Sequence, residues 1–207
     1  MNNNVSFKSN IKFITSQEFH KNKNKGYYIG YQHYCPNILK ADKFFSTEIR
    51  TCTGGGIIDK NGDAIGFHIW DDSKNNKNFH DIIVKMFRYI KNPERCILVG
   101  SKDLKGNPYS IKLFKNFKEE FDKRMVNLSI FQKHKYPKSE THYAYSKNDD
   151  TWLICTNYVT KDNSLKNVKT INDLKEAFET IKIADGDRLF IGEKEITYKD
   201  CPEFFEK

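Results

Sequence analysis

Apolar residues recur along this chain with two periods, and the switches between them divide it into strands and helices. Ile11-Lys12-Phe13-Ile14 and Gly26-Tyr27-Tyr28-Ile29-Gly30-Tyr31 read as strands separated by a solvated Lys/Asn run at 21–25. Pro36-Asn37-Ile38-Leu39 reads as a short turn or helix. Two strand-like arms, 45–58 and 64–70, then flank Asp59-Lys60-Asn61-Gly62, which has the composition of a hairpin turn. Asn78 is placed to cap a helix over 79–90, where Phe79, Ile82, Ile83, Met86, Phe87 and Ile90 share one face and Pro93 ends the run. Residues 95–100 are nearly all apolar, as in an interior strand.

Beyond them the spacing predicts a helix over 110–125, with Phe114, Phe117, Phe121 and Met125 on one stripe. A short strand at 128–132 follows, then a hairpin of 141–146 and 151–158 about Lys147-Asn148-Asp149-Asp150. A third helix is expected from Asn172 to Ile181, and Asp185-Gly186-Asp187 turns into a last strand pair over 189–197. Antiparallel hairpins interleaved with helices predict an α+β fold: a central, mostly antiparallel sheet or sandwich with flanking helices. The 207 residues suffice for one good core. They divide into an N-terminal extension at 1–40, packed on the core, and a single domain at 41–207.

Composition narrows the classes. Sixteen Phe and 11 Tyr supply burial material despite a mean hydropathy of −0.74. No apolar run reaches the ~18 residues of a membrane helix, and Met1-Asn2-Asn3-Asn4 is too polar for a cleavable secretory leader. The expectation is a protein that is cytoplasmic as made, with export by a signal-independent route as the alternative. Five cysteines (Cys35, Cys52, Cys96, Cys155, Cys201) without a CxxC pair argue against a disulfide framework or a structural zinc site. The net charge of +8 is spread along the chain and accompanies no RNP, zinc-finger or helix-turn-helix pattern, which argues against nucleic acid as partner.

The candidate chemistry lies in the first hairpin. Thr51-Cys52-Thr53-Gly54-Gly55-Gly56 stands on one arm and Gly66-Phe67-His68 on the other. A two-residue turn at Asn61-Gly62 would place Cys52 opposite Asp71 and turn His68 to the other side of the sheet. A three-residue loop with Gly62 left-handed in a bulge instead sets Cys52 opposite Trp70 and His68 opposite Gly54, so that both side chains share a face. The bulged loop is expected. An imidazolium beside a thiol can draw the thiol pKa from ~8.5 down to ~3.5–7.5. Glycines such as Gly54 and Gly55 let a substrate approach and free N–H groups to face an oxyanion. The corresponding reaction is attack on an acyl carbon, loss of an amine or ammonia, and hydrolysis of a thioester. A buried Cys52 acting as a small hydrophobe and a hydrogen-bonded core His68 are the structural alternative.

This segment resembles the active-site hairpin of the chemotaxis deamidase CheD, whose fold is shared by the catalytic domain of cytotoxic necrotizing factor toxins. The shared features are a small-residue run at the Cys, an Asp before the turn, and Gly-x-His on the return strand. The order of elements from 79 to 158 also agrees, and the likeness spans about residues 43–158. Ile49-Arg50-Thr51-Cys52 stands where CheD has Leu-Gly-Ser-Cys, and the family's double glycine after the apolar strand survives only as Gly100.

The resemblance implies a cysteine-dependent protein-glutamine deamidase that needs no cofactor or metal. Its partner would be a protein carrying an exposed glutamine, a host protein if the chain is an effector or toxin. Cys52 would be nucleophile and His68 general base. Ser46, where the family has a helper threonine, or a backbone carbonyl would orient the ring. The N–H groups of Cys52 and Thr53 would serve the oxyanion. The same dyad would suit a transglutaminase or a peptide or isopeptide hydrolase, and a basic interaction module with a structural Cys52 is the non-enzymatic reading. Asp71-Asp72 reads either as an orienting or cation-binding pair or as a solvated strand end. Trp70 packs beside the site or fills the core. Tyr27, Tyr28, Tyr31 and Tyr34 form a docking surface or half-buried strand aromatics. The scattered His20, His33, His80, His134 and His142 read as surface or capping residues.

Overall fold

A computed structural model describes residues 9–23, 26–30, 37–100, 108–124, 126–134 and 139–205. In chain order the strands begin with β1 (Asn10–Phe13), β2 (Tyr27–Ile29), β3 (Ile38–Lys40), β4 (Lys43–Ile49), β5 (Thr53–Asp59), β6 (Ala64–Ile69) and β7 (Pro93–Gly100). They continue with β8 (Asn127–Lys133), β9 (Ser139–Ser146), β10 (Thr151–Val159), β11 (Leu165–Asn167), β12 (Phe178–Lys182), β13 (Arg188–Ile191) and β14 (Lys194–Ile196). The helices are α1 (Ser16–Lys23), α2 (Ser73–Lys77), α3 (Phe79–Tyr89), α4 (Tyr109–Lys123) and α5 (Ile171–Ala177). Tyr31, His33, Tyr34, Cys35 and Met125 lie outside the described residues.

The fold is α+β, with two mixed sheets and flanking helices. The eight-stranded sheet runs β14-β13-β1-β10-β9-β4-β2, with β11 added at β10; the six-stranded sheet runs β12-β8-β7-β5-β6-β3. One core, including Phe13, Phe44, Phe131, Tyr143 and Trp152, gathers inward residues of both sheets. A second joins the six-stranded sheet to α3 and α4 through Ile83, Met86, Leu113, Phe117 and Phe121. There Phe67 stacks on Phe117 with ring centroids 5.2 Å apart. Each of these rings, removed from water, contributes about 1.5–3 kcal/mol. α1 covers the outer side of the eight-stranded sheet with Phe19 against Ala144 and Cys155.

The first hairpin has the expected register: Gly54 pairs with His68 and Ile58 with Ala64. Gly62, at φ +79°, closes the bulged loop by donating its N–H to the Asp59 carbonyl. Three expectations are corrected. The arm at 45–58 is not one strand. It is β4 in the eight-stranded sheet and β5 in the six-stranded one, and the chain crosses between sheets at Arg50-Thr51-Cys52. The cause is a bulge between Ser46 and Ile49, with Glu48 at φ +60° and its N–H donated to His142 Nδ1 at 3.2 Å. Residues 38–40 are a strand on β6, not a turn or helix. The third helix ends at Ala177, because Phe178 and Ile181 pair with β8 as β12.

The described part of residues 1–40 supplies strands to both sheets. β1 lies between β10 and β13, parallel to both, in the middle of its sheet. The run at 21–25 partly belongs to α1, whose start is a capping box of Thr15 and Glu18. At the end of the sandwich remote from Cys52, buried Arg95 at the start of β7 holds Ser9 Oγ and Asp150 Oδ2, at 2.5 and 2.9 Å. Asp187 stands 3.8 Å from the same guanidinium.

Candidate active site

Register and crossing together decide where the candidate residues point. Gly54 faces the eight-stranded sheet, since a β-carbon there would stand 3.2 Å from Tyr143 Cε1. His68, its ladder partner, shares that face, and so does Cys52 two residues upstream, which belongs to the inter-sheet core. Ser46 comes to meet them from β4 of the facing sheet. Its Oγ lies 2.8 Å from His68 Nδ1 and donates to the Ile29 carbonyl at 2.8 Å. Cys52, His68 and Ser46 therefore gather at one end of the sandwich.

Ser46 has a single proton, and the Ile29 carbonyl takes it. The Ser46–His68 hydrogen bond then has His68 Nδ1–H as donor. The imidazole is set in the tautomer whose Nε2 carries the lone pair. Tyr143 ties the same strand down by donating Oη–H to the Phe67 carbonyl at 2.7 Å.

The electrostatics differ from the thiolate–imidazolium pair that the spacing suggested. His68 is fully buried and Cys52 7% exposed. Burial, with the Asp71 carboxylate next, pushes the Cys52 thiol up to about 12, against the backbone N–H of Asp71 and the ammonium of Lys133. Burial, aided by Lys133, holds His68 down at about 3. Desolvation disfavours the charged form of both groups, so the resting pair is neutral thiol and neutral imidazole. Such a pair can react if the imidazole takes the proton as sulfur bonds to carbon.

Gly54 and Gly55 do not face a substrate. Both are buried in β5 between ladder partners on β6 and β7, and those ladders engage their backbone. They are glycines for packing reasons: Gly55 has φ +145°, and a β-carbon there would come within 1.8 Å of the Ile97 carbonyl oxygen. Thr53 is also in the ladders, fully buried, paired with Ile69 and Gly100. Among the described residues of this arm, the Cys52 N–H stands outside these ladders.

Several residues near the sulfur carried little or no sequence signal. Asp71 is not a solvated strand end. It is 3% exposed, accepts from Thr51 Oγ1 at 2.9 Å and stands 3.9 Å from Cys52 Sγ. Asp72 caps α2 by accepting from the Asn75 N–H at 2.6 Å. Trp70 is 49% exposed and fills no core. Ser110 of α4 donates to the Thr51 carbonyl, and buried Lys133 of β8 holds the Ile49 carbonyl. Neither has a sequence signature.

Compared with known proteins, the chain matches no family model and no curated sequence. Among the described residues no helix is long and apolar enough to cross a membrane.

Proposed function

We propose that this protein is a cysteine-dependent protein-glutamine deamidase, with Cys52 as nucleophile and His68 as general base. The observation that carries the reading is the buried link of Ile29 carbonyl, Ser46 hydroxyl and His68 Nδ1, both hydrogen bonds 2.8 Å, on the face that Cys52 shares. The link fixes the imidazole in the tautomer with Nδ1–H as donor, so the lone pair that a general base needs is on Nε2. Cys52 sulfur attacks the side-chain amide carbon while His68 Nε2 takes the thiol proton. His68 returns that proton to the leaving nitrogen, the C–N bond breaks, and ammonia departs from a thioester. Water, deprotonated by the same nitrogen, adds to the thioester, and the collapse releases glutamate and restores the thiol.

A specific observation favours a second reading, a structural Cys52 within an interaction module: the thiol is little exposed and its pKa is about 12. One experiment separates them. Proteomes of cells expressing the wild type or Cys52→Ser are compared for glutamines converted to glutamate. Conversions confined to the wild type support the deamidase. Conversions that persist in Cys52→Ser, or none in either, overturn it. Amine adducts or chain cleavage in place of a gain of about one mass unit move the reading to transglutamination or proteolysis by the same dyad.

A further inference from the structure

Lys133 ends β8 on the inter-sheet face, 1% exposed, in surroundings where a lysine is seldom found without partners that hold its charge. Its Nζ donates to the Ile49 carbonyl, and to those of Arg50 and Ser139 at 3.4 Å each. Two of these acceptors belong to the crossing that delivers Cys52. Thr53, Gly100 and Gln132 form one row across β5, β7 and β8, so Cys52 and Lys133 stand one step further out on strands two spacings apart, about 10 Å. β6, which leads into Asp71, lies on the other side of β5. The thiol thus sits between a carboxylate reached from one flank and an ammonium from the other.

We propose that Lys133 is a positioning residue for Cys52, an ammonium that holds the chain crossing at Ile49 and Arg50 and opposes the Asp71 carboxylate across the sulfur. The inference rests on the reading of Cys52 as the reactive thiol. Among the described residues, the charged and titratable groups around that sulfur are Asp71, Lys133 and His68. Burial keeps His68 neutral, and Lys133 adds to that effect while favouring the Cys52 thiolate. The nucleophile is thereby helped to ionise without turning its base into a spent imidazolium.

The test is the rate of iodoacetamide alkylation of Cys52, read by peptide mass at pH 8, in wild type, Lys133→Gln and Lys133→Arg. Glutamine keeps a donor for the carbonyls and removes the charge. The expected result is on the order of tenfold slower alkylation in Lys133→Gln, for the loss of one nearby charge in a protein interior. Lys133→Arg should stay within about threefold of wild type, because its charge remains. A lysine that only braced the crossing would give the opposite sign: its loss would open the crossing and speed alkylation. An unchanged or faster rate in Lys133→Gln therefore overturns the proposal. Should that variant not fold, Lys133→Arg decides, and a change well beyond threefold overturns it. The readout needs no substrate, so failure of the deamidase reading, seen as activity retained by Cys52→Ser, stays distinct from failure here.

Discussion

At Ser46 one proton settles a tautomer. With that hydroxyl engaged by the Ile29 carbonyl, His68 donates from Nδ1, and its Nε2 carries the lone pair that the proposed reaction uses. Ser46→Ala should lower deamidation turnover by about 10²-fold while KM holds, because the ring loses its orientation and not the substrate its site. The same change should cost about 1–2 kcal/mol of stability for a buried hydrogen bond, measured by urea unfolding; Ser46→Thr should keep most of both. The titration of the pair makes a second prediction. With the thiol at about 12, alkylation of Cys52 should climb about tenfold per pH unit from about pH 7 to 10 without a plateau. With His68 at about 3, turnover should lack an acid limb near the usual imidazole value of ~6.5. A plateau below about pH 9 would indicate a preformed thiolate, contrary to the burial of both groups.

Among the elements, β5 is the one whose sequence invites the wrong explanation. Three consecutive glycines beside a cysteine suggest an open, substrate-facing loop, yet Gly54, Gly55 and Gly56 lie buried in mid-sheet. At Gly56 a β-carbon would meet Trp152 Cη2 at 2.4 Å and the Ile65 carbonyl oxygen at 2.5 Å. Gly56→Ala should cost about 1–3 kcal/mol of overpacking. Gly55→Ala should cost more, because its φ of +145° adds backbone strain to the contact with Ile97. Denaturant midpoints of the two variants check both the penalties and their order. The bulge at Glu48 is the other element that matters, since it bends β4 so that Ser46 faces inward in one sheet while Cys52 leads into a strand of the other.

For the whole molecule the question is what keeps two sheets in the register that aligns Ser46 with His68. The Arg95 cluster pins them at the remote end, and it contains a proton switch in stability. Burial holds Asp187 up at about 6, against the Ser129 hydroxyl and the Arg95 guanidinium, where an exposed aspartate titrates at ~3.9. The native state binds this proton more tightly than the unfolded chain does. The stabilisation so gained is complete below about pH 4 and is lost as pH rises through about 6. Asp187→Asn removes that titration, so the variant should gain on the wild type by on the order of 2–3 kcal/mol between about pH 4 and 7. Urea unfolding at the two pH values tests this; a difference that does not change with pH would mean that Asp187 is no more basic in the native state.

Local pattern determined much of this protein. The period of the apolar residues marked helices over 79–90 and 110–125, which span 79–89 and 109–123, and the runs at 95–100 and 128–132 read as strands, which span 93–100 and 127–133. Asn61-Gly62 with its flanking charges set a bulged turn, and the turn alone put Cys52 and His68 on one face, because side chains alternate strictly along a strand. The tertiary structure decided what lies between them and solvent. Whether residues 45–58 formed one strand or two depended on a partner strand nearly a hundred residues away and on His142 accepting the Glu48 N–H. The neutral state of thiol and imidazole, the burial of Asp71 and the ammonium of Lys133 arise from packing two sheets face to face. Burial and charge proximity are properties of the folded neighbourhood, and no spacing along the chain encodes them.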